Sequence, residues 1–141
     1  MRFIALVKAT QESEAGVLPS ERQLADMGRF NEELVGAGIL LAAEGLQPSS
    51  AGARIHYGDG ERTVVDGPFA ETKELVAGFW ILQARSLAEA VEWIRRAPMD
   101  PGMEVEIRQV FEAPDFGEAL TPELRQAEER MAAQMAENAR R

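Results

Sequence analysis

Two apolar runs, each followed by a serine-capped helical pattern and then by a second apolar run, constrain this chain more than any other feature. In the first unit, Phe3 to Val7 is short and continuously apolar, as suits a strand covered on both faces. Ser20 with Gln23 makes a capping box, and Leu24, Met27, Phe30, Leu34 and Val35 then recur at helical spacing up to Gly36 and Gly38. Ile39 to Ala43 supplies the second strand. In the other unit, Ala77 to Ala84 is a buried strand, and Ser86 and Glu89 cap a helix with Leu87, Ala90, Val91 and Ile94 on its inner face. Pro98 and Pro101 bar that helix from continuing. Val105 and Ile107 alternate with Glu104, Glu106 and Arg108, so the last strand has one wet face.

Between the two units, Ala53 to Tyr57 and Arg62 to Val65 flank Gly58-Asp59-Gly60, which predicts a hairpin because glycine supplies the positive φ of a tight reversal. Thr10 to Leu18 is read as a polar loop, and so is Pro48-Ser49-Ser50. The order strand, helix, strand, hairpin, strand, helix, strand predicts an α+β fold: a ferredoxin-like split βαβ with an inserted β-hairpin, its helices on one face of an antiparallel sheet. Such a sheet leaves its second face to be covered, and nothing else in the chain is large enough to do so. A homodimer is therefore expected.

At 141 residues the chain is expected to hold one domain and a tail, with a core domain over 1–111 and a linker plus C-terminal helix over 112–141. Thr121 caps that helix and Pro122 opens it. Its apolar stripe, Leu124, Ala127, Met131 and Met135, is thin, which fits either a frayed tail or an element that docks on another subunit. Phe116, in the loop before it, is a candidate for pinning the chain to the body.

Net charge is -9, from 24 acidic and 15 basic residues. Glu123, Glu128, Glu129 and Glu137 balance Arg125, Arg130, Arg140 and Arg141 in the tail, so the excess lies wholly before it. Neither part shows the basic footprint that phosphate binding requires, so no direct nucleic-acid partner is expected. No apolar run reaches the roughly 20 residues that a membrane-spanning helix needs, and no membrane association is expected. The N-terminal apolar run is broken by Lys8 and reads as a strand rather than a secretory signal. Without cysteine there is no disulfide framework, thiol nucleophile or thiolate metal site, in keeping with a cytoplasmic location.

One stretch is composed for something besides packing. Val64-Val65 runs into Asp66-Gly67-Pro68-Phe69, and Ala70-Glu71-Thr72-Lys73-Glu74 then sets a compact group of charges before the apolar strand. Asp66-Gly67-Pro68 has a structural role available, with Asp initiating a turn, Gly taking an unusual angle and Pro fixing the next. The functional alternative holds Asp66 at a cleft mouth as acceptor or general base, with Lys73 lowering its pKa. These residues resemble the signature of the DGPF-type branch of the YCII-related family, over about residues 1–111. The resemblance implies a dimeric α+β barrel, in which two ferredoxin-like sheets pack face to face and leave a cleft. It implies no established reaction, and treats the tail as an addition.

The remaining candidates are cleft-rim residues on that view. Glu44, ending the second strand, is either an ordinary strand-end acid or a cleft carboxylate; with Asp66 and Lys73 it makes up the candidate catalytic set. Pro68, Phe69, Glu71, Trp80, Asn31 and His56 are the candidate ligand-binding residues. Asn31 falls among the apolar positions of the first helix, either facing the sheet as a hydrogen-bond donor or on a helix flank. Strand alternation sends Phe79 and Trp80 to opposite faces, so one of them would line the cleft. His56 is the sole histidine and lies on the hairpin; no metal ligand set or cofactor is expected.

Some YCII-like proteins are proposed to use a histidine on the first helix with an aspartate after the second; the matching positions here are Met27 and Ala97, so that dyad is absent. Two readings follow. A homodimer could bind a small molecule in its cleft, with cofactor-free acid-base chemistry available to a buried carboxylate. Alternatively, the resemblance implies a non-enzymatic companion of an extracytoplasmic-function sigma factor, with the tail helix as docking element.

Overall fold

The computed structural model describes residues 1–141, except that the Lys73 side chain lies outside the described residues. It contains two compact units, Met1–Val110 and Phe111–Arg141. In the first, β1 (Arg2–Lys8) leads through a short helix α1 (Gln11–Glu14) to α2 (Glu21–Gly36) and β2 (Leu40–Gly45). The hairpin β3 (Ala53–Tyr57) and β4 (Arg62–Asp66) follows, then β5 (Val76–Gln83), α3 (Leu87–Ile94) and β6 (Val105–Gln109).

Local sequence accounts for the helix starts. Ser20 Oγ accepts from the Gln23 N–H, and the Gln23 side chain accepts from the Ser20 N–H, closing the capping box of α2. The segment read as a polar loop holds a second box, Thr10 with Ser13, which starts α1. Ser86 Oγ accepts from the Glu89 N–H at the head of α3, while the Glu89 carboxylate turns to Arg85.

The large sheet is antiparallel with strand order β2-β5-β1-β6, so the strands of the two βαβ halves interleave. Among the described residues, β3 pairs with β4 alone, in register Ala53↔Asp66 through Tyr57↔Arg62. Gly60, at φ +81°, makes the reversal between them, and the Gly58 N–H donates to the Glu61 carbonyl at 2.7 Å.

The dimeric barrel implied by the resemblance is not the architecture found, because neither sheet closes. Closure requires the outermost strands to pair. Here β2 and β6 lie at opposite edges of an open four-stranded sheet, and the hairpin forms a separate two-stranded sheet instead of bridging them. The fold is α+β with one four-stranded and one two-stranded antiparallel sheet plus helices.

The core lies between the large sheet and the helices. Phe3 and Ala5 of β1 and Trp80 and Leu82 of β5 meet Phe30 and Leu34 of α2 and Ala90 and Ile94 of α3. Phe30 and Trp80 pack edge to face, with centroids 5.9 Å apart and planes at 81°, a geometry that stabilises by about 1 kcal/mol beyond the area buried. The helical stripes are narrower than their periodicity suggests: Leu24, Val35, Leu87 and Val91 are exposed. Ladder pairing puts Ile4, Leu6, Phe79 and Ile81 on the opposite, helix-free face, where they are half-buried.

In the second unit, a 3-10 segment Ala113–Ala119 is followed by α4 (Pro122–Asn138), capped by Thr121. Phe116 stacks on Phe111 with centroids 4.9 Å apart. Leu124, Met131 and Met135 are exposed along α4.

Candidate functional site

The Asp66–Glu71 stretch is built as a clamp across the base of the hairpin. β4 ends at Asp66, and the Gly67 N–H donates to the Gly52 carbonyl at 3.0 Å. The Gly67-Pro68 bond is cis. The Phe69 N–H then donates to Ser49 Oγ at 3.0 Å, and Ser49 is held by Glu14 of α1 through its own N–H (3.0 Å) and hydroxyl (2.5 Å). The Arg54 guanidinium lies 3.9 Å from the Phe69 ring centroid. Glycine is required at position 67 because a Cβ there would sit 1.8 Å from the Ser49 carbonyl oxygen.

That arrangement is structural chemistry, and the candidates within it are spread along the turn. Asp66 is exposed and opposite Ala53; its carboxylate makes no hydrogen bond among the described residues. Pro68 and Glu71 are exposed, and Phe69 is half-buried beneath Arg54. His56 is exposed opposite Thr63. The Lys73 side chain lies outside the described residues, so its pairing with Asp66 is not part of the site described.

A concave site lies elsewhere, on the helix side of the large sheet. A pocket of about 380 Å³ opens between α2 and the β2–β5 pair, lined by Val7, Met27, Asn31, Ala43 and Trp80 and by Met99 and Met103 from the segment before β6. Among the described residues none of Asp66, Pro68, Phe69, Glu71 and His56 lines it.

Asn31 and Trp80 are the two candidates that the fold brings together. Trp80 is buried, and its indole N–H donates to Asn31 Oδ1 at 2.9 Å. Of the two orientations open from sequence, Asn31 takes the one facing the sheet, though in this bond its side chain is the acceptor. Glu44 borders the same pocket, but register pairs it with Phe79, while Ala43 pairs with Trp80. Its exposed carboxylate therefore belongs to the opposite face, and its backbone forms the pocket edge.

Met27 and Ala97, the positions matched to the acid-base dyad, both pack against the apolar core. No group of three or more potential metal ligands occurs among the described residues. In the surface pair Arg85 and Glu89, a side-chain hydrogen bond raises the arginine pKa and lowers that of the glutamate.

Sequence reasoning missed Glu14 and Ser49 as anchors, and Met99 and Met103 as pocket walls. The Thr10-Ser13 spacing marks α1, but no local pattern links Glu14 to a serine 35 residues away.

The family comparison agrees with the extent of the first unit. The family model for the YCII-related domain matches residues 1–114. This chain belongs to the YCII-related family. An uncharacterized protein of Rhizobium meliloti (strain 1021) is 40% identical over 75 residues, covering 53% of this chain and 60% of that relative. The YCII-related chain thus aligns with less than two thirds of the length of that relative. Within the YCII-related chain, no helix among the described residues is long and apolar enough to cross a membrane.

Proposed function

We propose that this YCII-related protein binds a small molecule in the pocket between α2 and the β2–β5 pair. The observation that carries this reading is the Trp80–Asn31 hydrogen bond, a fixed polar contact in an otherwise largely apolar concavity of about 380 Å³. Ligand sites characteristically combine apolar walls with a few placed polar groups, at volumes of roughly 300–1,000 Å³. The apolar residues at the two dyad positions favour binding over acid-base turnover. The Asp66-Gly67-Pro68-Phe69 turn supports placement in the DGPF-type branch, with the turn as scaffold.

Native mass spectrometry after incubation with a bacterial small-molecule extract tests the reading. An adduct retained by the native chain and lost in Ala43→Phe, which fills the pocket, is the expected result. Equal retention by a correctly folded Ala43→Phe chain would place the ligand elsewhere.

For the helix-free sheet face, we propose coverage by a second copy of this chain, two open sheets meeting without closure. Ile4, Leu6, Phe79 and Ile81 form its centre, and Glu106 and Arg108 alternate in charge beside them on edge strand β6. Two-fold pairing can set each of these charges against its opposite. Sedimentation velocity should give a dimer that Phe79→Glu converts to a folded monomer; a native monomer at tens of micromolar would refute it.

A further inference from the structure

The polar inventory of the pocket limits what it can hold. An indole N–H is a donor only, so the amide oxygen of Asn31 must be the atom facing Trp80. This fixes which end of the amide is which, and leaves Nδ2, with two N–H donors, as the polar end of Asn31. No hydrogen bond from Nδ2 to a protein acceptor occurs among the described residues. Among the described residues, Glu44 is the one charged side chain that borders the pocket, and register turns its carboxylate to the other face. No lysine, arginine or histidine lines the pocket among the described residues. Met27, Met99 and Met103 supply polarizable, adaptable walls.

We infer that the ligand is an uncharged, largely apolar molecule bearing one hydrogen-bond acceptor, such as a carbonyl oxygen, to which Asn31 Nδ2 donates. This rests on the pocket-binding reading above. A carboxylate ligand would lose water on entry without meeting a cation, and a ligand whose sole polar group is a donor would face the donor end of the amide. The Trp80 bond holds that amide in place before the ligand arrives, so little side-chain entropy remains to be lost on binding.

Three probes of matched shape test the inference: 2-acetylnaphthalene, 2-ethylnaphthalene and 2-naphthoate. Each is titrated into the full chain at pH 8, with the Met methyl, Trp80 indole and Asn31 side-chain amide resonances followed by NMR. The ketone should bind roughly two- to tenfold tighter than the hydrocarbon, the difference one neutral hydrogen bond makes, and should move the Asn31 Nδ2 resonances. The carboxylate should bind weakest. Asn31→Asp keeps an acceptor for Trp80 but removes the amide donors, so the ketone's advantage over the hydrocarbon should disappear.

Equal binding of ketone and hydrocarbon would overturn the acceptor assignment, and tightest binding of 2-naphthoate would overturn the uncharged one, each while leaving the pocket reading intact. Failure of all three probes to move the Met27, Met99 and Met103 methyls would overturn the pocket reading together with the inference.

Discussion

Gly67 and Ser49 approach so closely that a methyl group on the first would lie 1.8 Å from the carbonyl oxygen of the second. The obstacle is backbone, held by the paired Gly67 and Gly52 and by the Glu14 contact, so it cannot swing aside as a flexible side chain would. Gly67→Ala should therefore destabilise the chain by about 1–3 kcal/mol, as overpacking does. Gly28→Ala is the contrasting case: this glycine lies within α2 and a Cβ there meets nothing within 4 Å. It should stabilise by about 1 kcal/mol through helix propensity. Urea unfolding followed by circular dichroism compares the two; equal effects of the same sign would refute the packing account.

Ser49 joins three segments, and its hydroxyl both donates to Glu14 and accepts from the Phe69 N–H. Ser49→Ala leaves the Phe69 amide without its acceptor and the carboxylate with one partner fewer. The expected loss is about 1–3 kcal/mol, and it should be localised. Amide exchange of Phe69 and of the β3–β4 ladder should accelerate in this variant, while Leu82 in the core keeps its protection. Uniform acceleration across the sheet would show instead that the clamp and core unfold as one unit.

The strands, both capped helices and the hairpin were legible because each is specified locally, by apolar runs, Ser-x-x-Gln or Ser-x-x-Glu spacing and Gly58-Asp59-Gly60. Pairing partners were not: β1 lies between β5 and β6, a relationship fixed by long-range contacts. The expected barrel failed at that level, since strand order alone does not determine whether edges meet. Asp66-Gly67-Pro68-Phe69 was visible as an unusual turn, but its purpose depends on Ser49 and Glu14, whose partnership has no local signature. Among the site candidates, Asn31 stood out as a polar residue at apolar spacing. Its partner Trp80 could be placed only once the register showed which face of β5 met α2.

The Trp80–Asn31 bond should respond asymmetrically to loss of either member. Trp80 is buried with its N–H aimed at Oδ1, so Asn31→Leu strands a buried donor and should cost about 1–3 kcal/mol. Trp80→Phe removes the donor and leaves Asn31 beside an open pocket where water can reach it. Its cost should come from lost ring volume, and adding Asn31→Leu to Trp80→Phe should then cost far less than Asn31→Leu alone. A double-mutant cycle by chemical denaturation measures the difference; strict additivity would mean that the bond contributes nothing to folding.

Glu89 and Arg85 supply the pH-dependent contribution that can be predicted by sign. The Arg85 guanidinium donates to Glu89 Oε2 at 2.9 Å, and this hydrogen bond holds the Glu89 carboxyl below its ordinary range. A carboxyl whose pKa is lower folded than unfolded binds more protons unfolded, so its contribution is present at neutral pH. It persists down to the unfolded pKa, near the ordinary 4.5, and disappears as pH falls through the lowered folded value. The pair is on the surface, so its effect is small and screened by salt. Arg85→Ala should lower the urea midpoint slightly at pH 7 and low ionic strength, with the difference from the native chain smaller at pH 3. A difference that persists unchanged at pH 3 would assign the effect to Arg85 packing rather than to the ion pair.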